Sequence, residues 1–425
     1  MLYYKYNTMS FYTDQVKSVI VDAQFNQSLF RSEFRLDQPN TMYSSDLRIH
    51  GLGAVVNPVT EQTGVRYNLL SGVHGIVRSM TLYSGSQVLD QIVSFADWAG
   101  FQSYKHTNNQ NTDSKTLAKG GLGFIYHKGL PVATIALPAV IKESCPDMGL
   151  QLGQTDLETP TGMVYLKQIF PLLGQLPFLH TAMFPQLRVV IEYNKNSQTP
   201  FIALPTPGGQ NTVTGTTQPI LCADVILNTK FADQTLSNFT SVIWSAIELD
   251  SVLVPRDSTG GKQRLQGFTN KTLTSLTIQK KPVEQGSEVY LETCSQFCFD
   301  ERIQLIVNGS ALLAESGVER PSQRLQLLTD VHGVCNAIPC GANGSVYLAK
   351  DLIDGAAQRV SKLDYFAAQI NQRVTSLDVD YARRNVVIGG INTDQYNQKL
   401  TLNCWGMVKK AIVKGKNNTF SVIYV

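Results

Sequence analysis

Val77-Arg78-Ser79-Met80-Thr81-Leu82-Tyr83-Ser84-Gly85-Ser86-Gln87-Val88-Leu89 and Ile303-Gln304-Leu305-Ile306-Val307-Asn308-Gly309-Ser310-Ala311-Leu312-Leu313 read as one piece of structure written twice. Aligned on Gly85 and Gly309, each gives an apolar-alternating run, a small polar residue, Gly-Ser, any residue, and then two aliphatics. Alternation with period 2 predicts a half-buried strand, and a glycine between two such runs predicts a tight turn with a return strand. A second pair of runs follows in the same order. Ile243-Trp244 is followed by Ile247 and Val252, and Cys404-Trp405 by Val408 and Val413, so apolar residues stand three and eight positions after each Trp. Two echoes in one order point to two copies of one fold, against chance similarity of common strand patterns.

The chain between these landmarks is written in the same idiom. Ser28–Leu36, Leu187–Tyr193, Leu273–Ile278, Arg302–Val307 and Thr419–Val425 are short runs rich in Val, Ile, Thr, Phe and Tyr, separated by Gly, Pro, Asn and Asp. Many short strands with turn chemistry between them predict an all-β protein of sandwiches or barrels. Helical signal is sparse. Leu363, Phe366, Ala367 and Ile370 fall at i, i+3, i+4, i+7 behind Ser361 and predict one short amphipathic helix, and Ser94–Tyr104 predicts a second. Polar Thr107–Gly123 and the Pro/Gly-rich stretch Pro200–Pro219 read as long loops.

The spacing locates the copies. Gly85 to Trp244 is 159 residues and Gly309 to Trp405 is 96, so the first copy is the larger, with the extra length assigned to its loops. The break in pattern at Pro255–Gly261 puts the boundary after residue 256, giving an N-terminal unit 1–256 and a C-terminal unit 257–425. A total of 425 residues suits two cores rather than one.

Composition narrows the class of function. Only 16% of residues are charged, against about 25% in ordinary soluble domains, while 43% are hydrophobic. A neutral, polar surface costs less to desolvate than a charged one and suits extensive contact between subunits. A net charge of +3 supplies no global basic field for nucleic acid. The N-terminal residues lack the apolar core of a secretory signal and no window reads as a membrane span, so an intracellular chain is expected and its sequons are read as chance. Cysteines 145, 222, 294, 298, 335, 340 and 404 then read as reduced core residues, with an occasional disulfide left open.

Four stretches together carry a resemblance. They are Leu69–Val77 leading into Ser84–Asp90; Pro171–Leu173 through Leu176–Leu179 and the strand ending Ile191-Glu192-Tyr193; Val307-Asn308-Gly309 with Arg324–Gly333; and the closing Val422–Val425. In pattern and order the chain resembles the double jelly-roll major capsid proteins of small double-stranded DNA viruses, the virophage and Polinton-like type in the lineage of the adenovirus hexon. The resemblance implies two tandem eight-stranded jelly-roll β-sandwiches with long inserted loops and few short helices. It also implies a homotrimer of pseudo-hexameric outline that tiles an icosahedral virion shell around a DNA genome. Its expected partners are other copies of itself, neighbouring capsomers, penton and minor or cement proteins, and encapsidated DNA bound without sequence specificity, with no small-molecule substrate. A β-sandwich spike or carbohydrate-binding module is the alternative.

Candidate sites follow from residue chemistry. No Gly-x-Ser-x-Gly elbow, His-Glu-x-x-His or phosphate-binding loop is present, and Gly260-Gly261-Lys262 lacks the leading glycine, because position 256 is Arg. No catalytic residue, cofactor site or metal site is therefore expected, and the chain reads as a non-enzyme. His332 with Cys335, Cys340, Cys294 and Cys298 has spacings less regular than zinc sites use, so core cysteines are the preferred reading. The aromatic N-terminus, Tyr3, Tyr4, Tyr6, Phe11 and Tyr12, reads as an arm reaching a neighbouring subunit, or else a disordered tail. The basic C-terminal region, with Lys409, Lys410, Lys414 and Lys416, reads as a face toward genome or acidic partners, or else as lysines guarding a strand edge.

Overall fold

The computed structural model describes residues 16–26, 30–57, 65–67, 73–106, 162–194, 201–203, 212–216, 218–227, 234, 237, 239, 241–255, 258–282, 301–313, 317–319, 321–333, 365–383, 387–388, 391–392, 399–415 and 420–425. The arm residues Tyr3 to Tyr12, the loop 107–123, five of the seven cysteines and Lys416 lie outside the described residues.

The first half supplies β1 (Val16–Asp22), β2 (Gln24–Asn26), β3 (Arg31–Leu36), β4 (Met42–Ser44), β5 (Arg48–Leu52), β6 (Ala54–Asn57), β7 (Val65–Tyr67), β8 (Val77–Ser84), β9 (Gln87–Val93), β10 (Gly162–Tyr165), β11 (Phe178–His180), β12 (Leu187–Tyr193), β13 (Phe201–Ala203), β14 (Thr212–Thr216) and β15 (Ile220–Ile226). The second supplies β16 (Ser241–Val254), β17 (Gly260–Arg264), β18 (Lys271–Pro282), β19 (Arg302–Val307), β20 (Ser310–Ala311), β21 (Tyr365–Val374), β22 (Leu377–Ala382), β23 (Val387–Ile388), β24 (Ile391–Asn392), β25 (Leu400–Lys414) and β26 (Phe420–Tyr424). Helices are α1 (Phe95–His106), α2 (Leu166–Ile169), α3 (Pro171–Gln175) and α4 (Pro321–His332).

Pairing reveals one strand order used twice. In the first half β1 pairs β15; β15 pairs β4 and β5, and these pair β11 and β10. In the second half β16 pairs β25, β25 pairs β18, and β18 pairs β21. The facing sheets match as well: β3–β12–β8–β9 corresponds to β17–β22–β19–β20. All these pairs are antiparallel, as sandwiches with one buried face per sheet require. Alternation is clean where one face is buried: β22 buries Leu377, Val379 and Tyr381 and leaves the residues between half-buried. The paired hairpins read from sequence stand as expected. Gly85 turns β8 into β9 at φ +57°, and Asn308-Gly309 turns β19 into β20 with both residues at positive φ (52° and 84°), the requirement of a tight two-residue turn.

Four local readings differ. The stretch Pro200–Pro219, expected as a loop, carries β13 and β14, which pair with β7 and β6. Residues 365–370 of the expected helix Ser361–Ile370 lie in strand β21, and 361–364 lie outside the described residues. Phe366, Ala368 and Ile370 pack in the second core while Ala367 packs in the first. A strand covered on both faces loses its period of 2, and its apolar run then imitates a helix. Helix α4 is not among the helices expected from the sequence. It begins at Pro321, which fits a first helical turn, and it buries Arg324 and Leu328. Finally, the two Trp runs do not occupy equivalent places. They hydrogen-bond to each other as β16 and β25, with Trp244 opposite Lys410 and Leu249 opposite Trp405. By pairing, β16 corresponds to β1, and β25 to β15.

Two cores result. The first contains Phe34, Leu82, Phe101, Leu172 and Ile191 from the first half together with Trp244, Ala246, Leu328, Trp405 and Ile412 from the second. The second contains Val252, Val254, Leu276, Ile303, Val379, Leu402 and Val408. The long strands β16 and β25 thus place one end in each core and tie the sandwiches into one apolar body.

Candidate functional site

The residues with the most developed polar chemistry sit where the halves meet. Strand β16 carries Glu248 between Ile247 and Leu249. Its carboxylate lies 2.8 Å from Lys410 Nζ on β25 and 2.6 Å from Lys271 Nζ on β18. The Tyr424 hydroxyl on β26 donates to the same carboxylate at 2.9 Å, and its ring stands 4.5 Å from Lys271 Nζ and 5.1 Å from Lys410 Nζ. Burial pushes the Glu248 carboxyl up, but the two ammonium groups outweigh it and hold the group below its ordinary range. Burial and the adjacent Glu248 push Tyr424 up to about 12.

From the first half, β9 brings Asp90, which is fully buried. Its carboxylate accepts from the backbone N–H of Leu172 at the start of α3 (3.1 Å) and from that of Gln91 (3.1 Å). Burial raises it to about 7, with the two N–H donors and Lys410 opposing. A second tie is the bidentate pair of Asp97 on α1 with Lys281 on β18, at 2.9 and 2.7 Å. Apolar contacts seal the seam. The Trp98 and Trp405 rings lie 5.6 Å apart, and Phe101 meets His332 edge-on at 5.0 Å. His332 Nε2 is 2.7 Å from Thr277 Oγ1, so this histidine, weighed as a metal ligand from sequence, is bound to a hydroxyl.

The proposed basic face is split by the strand. Lys410 and Lys414 share one face of β25 and Lys409 lies on the other, because side chains alternate. Lys410 is buried and paired with Glu248, which removes it from the set of outward cations. Lys409 and Lys414 are half-buried. What the outer face of this region presents is apolar: Ile243, Ala411 and Ile423 form one row across β16, β25 and β26, and both isoleucines are exposed, with Val425 beside them.

A cleft of about 400 Å³ opens between the β8–β9 turn (Ser84–Gln87), the turn Ala182–Pro185 and β26 (Phe420, Val422). Its lining holds no titratable side chain and offers no acid, base or nucleophile of the activated kind. Among the described residues no group of three or more His, Cys, Asp or Glu is arranged to hold a metal ion. No helix among them is long and apolar enough to cross a membrane. Little of the seam is legible in the sequence beyond Glu248 after Ala246-Ile247 on β16 and Asp90 in a return strand.

No family model and no curated protein matches the chain. Solved structures do. The mavirus major capsid protein superposes with a TM-score of 0.53 at 9% identity, over 96% of this chain and 90% of that one. The Faustovirus major capsid protein gives 0.51 at 8% identity, over 94% and 90%. A chain of the Sputnik virophage solved by cryo-electron microscopy gives 0.51 at 10% identity, over 97% and 88%. At such identities the likeness shows the fold, and the fold is the double jelly roll.

Proposed function

We propose that this chain is a major capsid protein: it forms homotrimers of pseudo-hexagonal outline that tile an icosahedral shell around a DNA genome. The observation that carries the reading is the repeated strand order, with a first core that draws on both halves, in the fold shared with the mavirus and Faustovirus capsid proteins. Two like sandwiches fixed rigidly together give each subunit two similar corners, and threefold closure makes six. The exposed Ile243 and Ile423 and the low charge of the chain favour a surface that is buried on assembly rather than left in water.

In this reading the protein works by contact, not catalysis. Its partners are its own copies, neighbouring capsomers, and penton and minor capsid proteins, and its place is the virion shell. We put the boundary between the copies in the 227–240 stretch, ahead of the 256/257 division suggested by the Pro255–Gly261 break, because β16 takes the place of β1 in the second copy. Lys409, Lys414 and Lys416 remain the cations proposed to face the genome or acidic partners.

The aromatic arm (Tyr3, Tyr4, Tyr6, Phe11, Tyr12) is assigned to contacts between capsomers. Electron microscopy of concentrated full-length protein is expected to show shells or ordered facets. A chain lacking residues 1–12 is expected to keep the trimer but to assemble poorly. Equal assembly by both chains would remove the role of the arm, and failure of the full-length protein to form any ordered array would count against the capsid function itself.

A further inference from the structure

The cleft beside β26 is uncharged and floored by aromatic rings, and the chain carries an uncharged aromatic segment near its N-terminus. We propose that the cleft is the docking site for the segment Tyr6–Tyr12 of a neighbouring copy. The proposal rests on the capsid reading above and adds the place where the arm lands.

Phe420 of β26 meets Phe239 edge-on at 5.4 Å and packs against Phe184 at 6.2 Å. Phe184 is buried but Phe420 only half so, and both line the cleft. Met183, Leu89 and Val422 extend this apolar wall, and the exposed Ser86 and Ser421 set hydroxyls at the rim. An added ring gains from edge-to-face contact with such a cluster, and a phenol has an apolar body for the wall and a polar tip for the rim. A thioether such as that of Met183 also packs favourably on a ring. With no charged side chain in the lining, a charged ligand would lose water there and gain no counter-ion. A volume of about 400 Å³ stands at the small end of ligand sites, roughly 300–1,000 Å³, and suits a few side chains of an extended segment.

The arm matches this chemistry. Residues 1–15 contain Tyr3, Tyr4, Tyr6, Phe11 and Tyr12, their charged side chains are Lys5 and Asp14, and Tyr6–Thr13 has none. The fold places the root of the arm at the right end of the sandwich. Val16, where β1 begins, is opposite Ile226, Ile226 is opposite Met42, and Met42 is opposite His180. The turn Ala182–Pro185 that lines the cleft follows His180 directly. Three strand spacings, ~14 Å, therefore separate the root of the arm from the strand that leads into the cleft. Copies related by threefold closure stand in one orientation, so the root of one arm is level with the cleft of the next subunit. Fifteen extended residues reach about 50 Å, enough to cross from one subunit to another.

The test joins arm and cleft covalently in the full chain. Two differently tagged forms are co-expressed, one carrying Ser10→Cys and the other Ser421→Cys, so that a 10–421 disulfide can form only between copies. Thr8→Cys replaces Ser10→Cys in a second pairing. After mild oxidation, peptide mass spectrometry identifies the bond apart from any made by the native cysteines. The expected result is a disulfide from position 8 or 10 to 421 linking the two tags. Adding Phe11→Ser and Tyr12→Ser to the arm, or Ser86→Arg at the exposed rim of the cleft, is expected to lower its yield by about tenfold, with trimers intact. Trimers or shells that form without the bond, or a yield unchanged by these substitutions, would overturn the docking site and leave the capsid reading standing. A bond found only within single chains carrying both cysteines would assign the cleft to the chain's own arm and overturn the contact between copies. A chain that stays monomeric would remove both the docking site and the capsid reading.

Discussion

Replacing Lys280 with Met lowers stability by ~3–5 kcal/mol, the cost of stranding a buried charge. Lys280 and Glu301 are buried deep in the second sandwich, their side chains 6% and 1% exposed, with Nζ 2.6 Å from the carboxylate. The hydroxyl of Tyr381, itself buried, donates to the same carboxylate oxygen at 2.5 Å. Removing the ammonium takes the counter-charge 2.6 Å away from a carboxylate held in a low-dielectric site, which costs more than removing both charges together. The double variant Lys280→Met/Glu301→Gln is expected to regain at least half of the loss, because a neutral amide still accepts from Tyr381 and needs no counter-ion. Urea unfolding of the three proteins checks this. Equal destabilisation by the single and double variants would mean that packing, not charge, dominates the site.

The second large effect lies at the seam. Trp405→Ala is expected to cost ~3–5 kcal/mol, the usual range for emptying a buried aromatic site. Trp405 is 1% exposed, and its ring packs on Trp98 of the first half while its own strand also pairs with β16 and β18. Its indole N–H makes no hydrogen bond among the described residues, so truncation orphans no acceptor and the loss is one of packing. Because the first core draws residues from both halves, the variant is expected to unfold in one transition at a lower urea midpoint with an unchanged slope. Two separated transitions would show that the halves are energetically independent, contrary to the shared core.

Much of the architecture was legible because it depends on local chemistry. The Gly85 and Asn308-Gly309 turns need positive φ and announce themselves by residue type. The strands Leu187–Tyr193 and Arg302–Val307 alternate because each faces one core. Legibility ended where burial came from both sides or from afar. Strand β21 looked helical because Ala367 and Ala368 face different cores. The Trp244 and Trp405 runs resembled each other because neighbouring strands that pass through the same two cores need matching rows of apolar residues. The seam was hidden for a different reason. Asp90 meets a backbone amide 82 positions away, and Lys281 meets an Asp 184 positions away, and no spacing rule connects such residues. The same holds for Lys280 and Glu301, 21 positions apart, which only the fold buries together.

The claim that this chain builds a shell from trimers is tested most directly by its solution mass, measured by light scattering coupled to size exclusion. A stable species of three times the 46.9 kDa chain, about 141 kDa, is expected. A species that stays at 46.9 kDa at every concentration would contradict it and would favour a spike or carbohydrate-binding module built on the same two sandwiches.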